Sequence, residues 1–167
     1  MSLACLMRGA VTFSIATVLA NADFALAAEQ GITPMAGTEC EAMAGKISQA
    51  AGFPLKTRVG KPDLSGFDGN ACLMSGRATG LKTNFADAEK RLDAVFADWT
   101  PLSEFAADDG GSTQQGFSKA SQRLVYLLTN YPPRGTCENV VIAACKVPLR
   151  RWSWTLKVVA FSISSGM

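Results

Sequence analysis

The sequence predicts an α+β domain, with two helices packed on one face of a mainly antiparallel sheet of four or five strands and the whole stapled by disulfides. Three observations carry this expectation. Two stretches repeat apolar residues at helical spacing, other stretches alternate apolar and polar residues, and Gly/Asp-rich turns join the latter in a way that suits antiparallel pairing. Helices laid on one side of such a sheet bury the apolar faces of both. A length of 167 residues fits a single domain.

The chain opens with Arg8, the only charge ahead of an apolar run from Gly9 to Ala20, followed by Asn21, Asp23 and Ala25-Leu26-Ala27. Positive, then apolar, then small-x-small is the layout of a secretory signal, with cleavage expected between Ala27 and Ala28. The run spans about 12 residues, short of the roughly 20 that cross a bilayer as a helix. The expected destination is the periplasm or the extracellular medium, and the membrane is met only transiently during export. Cys5 precedes the run and leaves with residues 1–27, so it is not read as a lipid anchor.

Cys40, Cys72, Cys137 and Cys145 remain, an even set that an oxidising compartment would pair. Cys137 and Cys145 enclose a short local loop, which leaves Cys40 for Cys72. By the loop-entropy argument these closures stabilise by about 2.5 and about 4 kcal/mol respectively.

Residues 28–37, with Pro34 and two glycines, are expected to form a flexible lead-in, and residues 38–167 the single α+β domain. Thr38 and Glu41 have the spacing of a capping box. Cys40, Met43, Ala44, Ile47 and Ala51 then recur at helical spacing, and Gly52 stands where a left-handed terminator belongs. A brief extended segment is expected over 53–59 and a loop over 60–70. From Ala71 to Leu81 a strand places Cys72, Met74, Gly76, Ala78 and Gly80 on one face, small enough for a helix to approach.

Asn84 caps a second helix, with Asp87 at its third position and an apolar stripe of Phe85, Ala88, Leu92, Val95, Phe96 and Trp99, closed by Pro101. Asp87, Lys90, Arg91 and Asp98 are expected on its solvated side. A strand over 102–107, a turn at 108–112 and a returning strand within 114–131, strongest over 123–128, follow. The last strand shows Trp152, Trp154, Leu156, Val158 and Ala160 alternating with Ser153, Thr155 and Lys157.

The chain has no histidine, which removes Ser/His/Asp and Cys/His catalysis and every imidazole metal site. Gly45-Lys46 is not followed by the Ser or Thr of a phosphate loop. In the segment 63–70 the oxygen alternation of a calcium loop fails at Phe67, and no closing glutamate follows. The cysteines lack the close C-x₂-C spacing of zinc sites. Ser118 and Lys119, as strand neighbours, point to opposite faces. The expectation is therefore no catalytic set, no metal and no cofactor. A net charge of +2, spread along the chain, gives no footprint for nucleic acid or another anionic polymer.

The densest basic-aromatic segment is Arg150-Arg151-Trp152-Ser153-Trp154. Alternation assigns the indoles to the core; were they exposed, they and the two guanidiniums would form a binding surface. The leading expectation is an exported, non-enzymatic binding or accessory protein whose partner is a protein, a peptide or a glycan. One rival is a small exported hydrolase using Asp108 or Asp109, residues whose glycine-rich setting reads first as a turn. Another is an enzyme inhibitor presenting the Cys137–Cys145 loop, although Val140, Val141 and Ile142 are apolar enough to pack inward.

Overall fold

The computed structural model describes residues 30–137 and 142–163. The leader, residues 138–141 of the short cysteine loop, Val140 and Val141 among them, and residues 164–167 lie outside them. The fold is α+β, with two helices, a largely antiparallel sheet and two disulfides.

The sheet has eight strands among the described residues, not four or five. They are β1 (Gln30–Pro34), β2 (Lys56–Gly60), β3 (Phe67–Gly69), β4 (Ala71–Thr79), β5 (Thr100–Asp109), β6 (Ser112–Lys119), β7 (Gln122–Tyr131) and β8 (Ser153–Ile163). The order is β2-β4-β8-β7-β6-β5, all antiparallel, while β1 continues along β8 beside Phe161–Ile163 and carries β3 in parallel. The long last strand is thus central, with β4 on one flank and β7 on the other.

The additional strands come from places where local pattern is weak. Residues 30–34 are strand β1 and not part of a flexible lead-in. The expected loop 60–70 contains β3. The single returning strand is a hairpin, β6 and β7, joined at Ala120-Ser121, with Ala120 at φ 52°. Pro101 does not close a helix; it lies in β5, an edge strand, where a missing N–H is tolerated.

Helix α1 (Gly37–Ala51) buries Cys40, Ala44, Ile47 and Ala51, the expected stripe, and ends at Gly52 in the left-handed conformation with φ 81°. Its start differs from expectation. The helix begins at Gly37, so Thr38 lies inside it and Ala36 caps it without a side-chain bond. Helix α2 (Phe85–Val95) starts as expected: the Asn84 side chain accepts from the Asp87 amide at 2.8 Å and donates to the Asp87 carboxylate at 2.7 Å. That engagement draws Asp87 away from Arg91, whose Nε donates instead to the Ala50 carbonyl at 2.9 Å and links the two helices.

The main core lies between both helices and one sheet face, where α1 and α2 meet Met74, Phe117, Leu124, Tyr126, Leu128, Trp154, Leu156 and Val158. Phe96 stacks on Phe117 with ring centroids 4.7 Å apart. No helix covers Gly76; the segment Phe53-Pro54-Leu55 packs there, close enough that a side chain would strike the Pro54 carbonyl. On the opposite face a smaller cluster joins Ile32, Ala71 and Phe161 with Phe67, Leu73 and Val159. It covers the end of the sheet near β1 and β3 and leaves the other end of that face open.

Tyr126 is buried and its O–H donates to Asp93 Oδ1 at 2.8 Å, tying β7 to α2. Burial foremost, then this bond and the Asp93 charge, pushes the phenol well above the usual tyrosine range. Its contribution is therefore complete below the ordinary tyrosine pKa of about 10. It declines as pH rises further, because the unfolded chain then releases a proton that the folded chain keeps. Melting curves between about pH 9 and about pH 11 should show a fall in Tm that is shallower in Tyr126→Phe. Equal slopes would show that this phenol does not set the alkaline limit.

Candidate functional site

The indoles lie in the core, where their alternation assigns them, and the basic-aromatic surface that their exposure would have made is not formed. Trp152 is 6% exposed and Trp154 1%, so both indoles belong to the interior, while Arg150, Arg151 and Ser153 face solvent. The Trp152 Nε1 donates to the Val147 carbonyl at 2.8 Å and fastens the segment that leads into β8. Trp154 stacks with Phe85 of α2, with ring centroids 6.3 Å apart.

Asp108 and Asp109 are exposed at the end of β5, opposite Thr113 and Ser112. They line a shallow depression of about 320 Å³ with Glu89 and Phe85, and no hydrogen bond or ion pair engages their carboxylates among the described residues. Ser118 and Lys119 are not brought together: Ser118 Oγ donates to the Thr100 carbonyl, and Lys119 pairs with Asp98. In the short cysteine loop Ile142 is half-buried and Ala144 exposed, while Val140 and Val141 lie outside the described residues.

A cleft of about 290 Å³ separates α1, the end of α2 and the β6–β7 hairpin. Its charges are matched internally. Lys119 hydrogen-bonds to Asp98 and holds that carboxyl below the usual carboxylate range, with Lys46 adding to the effect, and Gln122 donates to Glu39 at 3.4 Å. The groups act as a clasp between helix and hairpin.

The open sheet face is different. Strand pairing aligns Lys56 with Ser75 and Ser75 with Lys157, so one row across β2, β4 and β8 reads cation, hydroxyl, cation. Arg58 and Arg77 lie on the same face by two-residue alternation, and Thr155 pairs with Arg77. Strands about 4.8 Å apart put the Lys56 and Lys157 backbones roughly 9.5 Å from each other, with Ser75 midway. Lys56, Arg58, Arg77 and Lys157 are exposed, and none makes an ion pair among the described residues.

Two depressions cover this region. One, of about 530 Å³, is lined by Pro54, Lys56, Ser75, Arg77, Thr155 and Lys157. The other, of about 250 Å³, continues past Ser75 and Lys157 to Arg58, Leu73 and Asp63. Lys61 at that end is paired with Asp68 at 3.2 Å. Clustered, unpaired cations repel one another and favour an anion between them, which makes this trough the candidate binding site. Sequence reasoning missed it, since no single segment carries the cluster. The alternation Lys56-Thr57-Arg58 was the only local signal. No protein family, curated protein or solved structure matches the chain.

Proposed function

We propose that this is an exported binding protein, periplasmic or secreted, that works by holding an anionic ligand on the open sheet face and not by catalysis. The observation that carries the reading is the group of four exposed cations around Ser75, without ion pairs among the described residues. Export is supported by the Arg8, Gly9–Ala20, Ala25-Leu26-Ala27 order, and by two disulfides of a kind that persist in oxidising compartments.

Two measurements test it. N-terminal sequencing of the full chain expressed in a bacterium with a secretion apparatus should find the exported product starting at Ala28 and free of thiols. A cytoplasmic product that keeps its N-terminus would overturn the export reading. Titration of the oxidised protein with tripolyphosphate should shift the amide resonances of Ser75, Arg77, Thr155 and Lys157. Shifts confined to other surfaces, or none, would remove the site.

A further inference from the structure

Resting on that reading of the face, we infer that the ligand is an acidic polysaccharide, a sugar chain carrying carboxylate or sulfate groups, laid along the trough over β4. Three features select it. The first is shape. The two depressions share Ser75 and Lys157, so they form one extended channel and not a closed pocket for a compact ion.

The second is charge spacing. From strand geometry the Lys56 and Arg77 backbones are about 8 Å apart, as are those of Arg77 and Lys157. Lys56 and Arg58 are separated by about 7 Å along their strand. Flexible side chains on this grid meet acidic groups repeated every one or two sugars better than they converge on one centre. Ser75 and Thr155 lie between the cations and offer hydroxyls to sugar hydroxyls.

The third is what the channel lacks. Among the described residues neither depression is lined by an aromatic ring, whereas proteins that hold single-stranded nucleic acid stack bases on such rings. Nor does the channel project a large apolar side chain for insertion into a bilayer: Leu73 and Val159, which line it, are half-buried against the smaller cluster, and the exposed large hydrophobics among the described residues, Val59, Tyr131 and Leu149, do not line it. Asp63 stands at one end as a carboxylate without an ion pair among the described residues and opposes an anion there, so the tightest contacts fall on the Lys56, Arg77 and Lys157 side.

The test uses the mature, oxidised chain and five probes: a polyuronate oligosaccharide, a sulfated glycan oligosaccharide, neutral dextran, oligodeoxythymidylate of equal charge, and phosphatidylglycerol vesicles. One or both acidic oligosaccharides should bind, the better of them identifying the acid, with affinity falling as salt rises and no binding of dextran. Oligodeoxythymidylate and vesicles should bind at least about 10-fold more weakly, because charge alone holds them. Lys56→Gln/Lys157→Gln, two exposed positions, should weaken the acidic oligosaccharide about 10-fold or more and flatten the salt dependence, with unchanged thermal melting. Asp63→Asn should tighten binding. Equal or tighter binding of oligodeoxythymidylate or vesicles would overturn the inference, as would full affinity in the double lysine variant. If tripolyphosphate still shifts Ser75 and Lys157 while neither oligosaccharide binds, the ligand class is wrong and the anionic face stands. If tripolyphosphate fails as well, the face itself is not a site.

Discussion

Replacing Cys40 and Cys72 together by alanine is expected to lower stability by about 4 kcal/mol, against about 2.5 kcal/mol for the Cys137 and Cys145 pair. The first bridge joins α1 to β4 with Cα atoms 6.1 Å apart and a sequence separation of 32, whereas the second closes a separation of only 8. The longer closure removes more freedom from the unfolded chain. Both sulfurs of the first bridge are also in the main core, so its loss frees one end of α1 from the sheet. Since domains of this size are stable by only about 5–15 kcal/mol, the variant should unfold at much lower guanidinium concentration. Guanidinium unfolding under oxidising conditions measures it. A midpoint as high as that of the intact protein would show that the bridge adds little to packing already sufficient.

Trp154→Ala should cost about 3–5 kcal/mol, and Trp154→Phe much less. The indole sits on β8 directly opposite Asn130 of β7, stacks with Phe85 and is 1% exposed, so truncation leaves a large hole. Its Nε1 has no hydrogen-bond partner among the described residues, and neither do the side-chain amide atoms of Asn130. A buried donor without a partner costs about 1–3 kcal/mol. Phenylalanine removes that donor and keeps the ring against Phe85, and the gain offsets much of the lost volume. The expected order in urea unfolding is wild type close to Trp154→Phe, both well above Trp154→Ala. A phenylalanine variant as unstable as the alanine one would show that the indole N–H is satisfied in solution.

How far the fold could be read from the chain depended on how local each cause was. The stripe Cys40, Ala44, Ile47 and Ala51, the Gly52 terminator, the Asn84 cap and the alternation in β8 are written within one element, and they appear where the pattern places them. Strand β3 has three residues and β1 five, too few to show a period. The turn at Ala120-Ser121 lacks glycine, proline and asparagine, so nothing in its composition divided β6 from β7. The Thr38 and Glu41 spacing failed because the helix starts two residues earlier, capped at Ala36, and a cap motif inside a helix has no free amide to serve.

The candidate site shows the same division. The sequence by itself determined which residues turn inward along each helix and strand, and it made Cys40 and Cys72 available on faces that meet. Periodicity settles such matters because it acts within a few residues. Only the tertiary structure decided that Lys56, Arg58, Arg77 and Lys157 share one face, since that depends on β4 lying between β2 and β8 and on their register. A net charge of +2 carries no trace of it. Charges far apart along the chain act together only when strand order brings them within about 10 Å, where their fields add before solvent screens them.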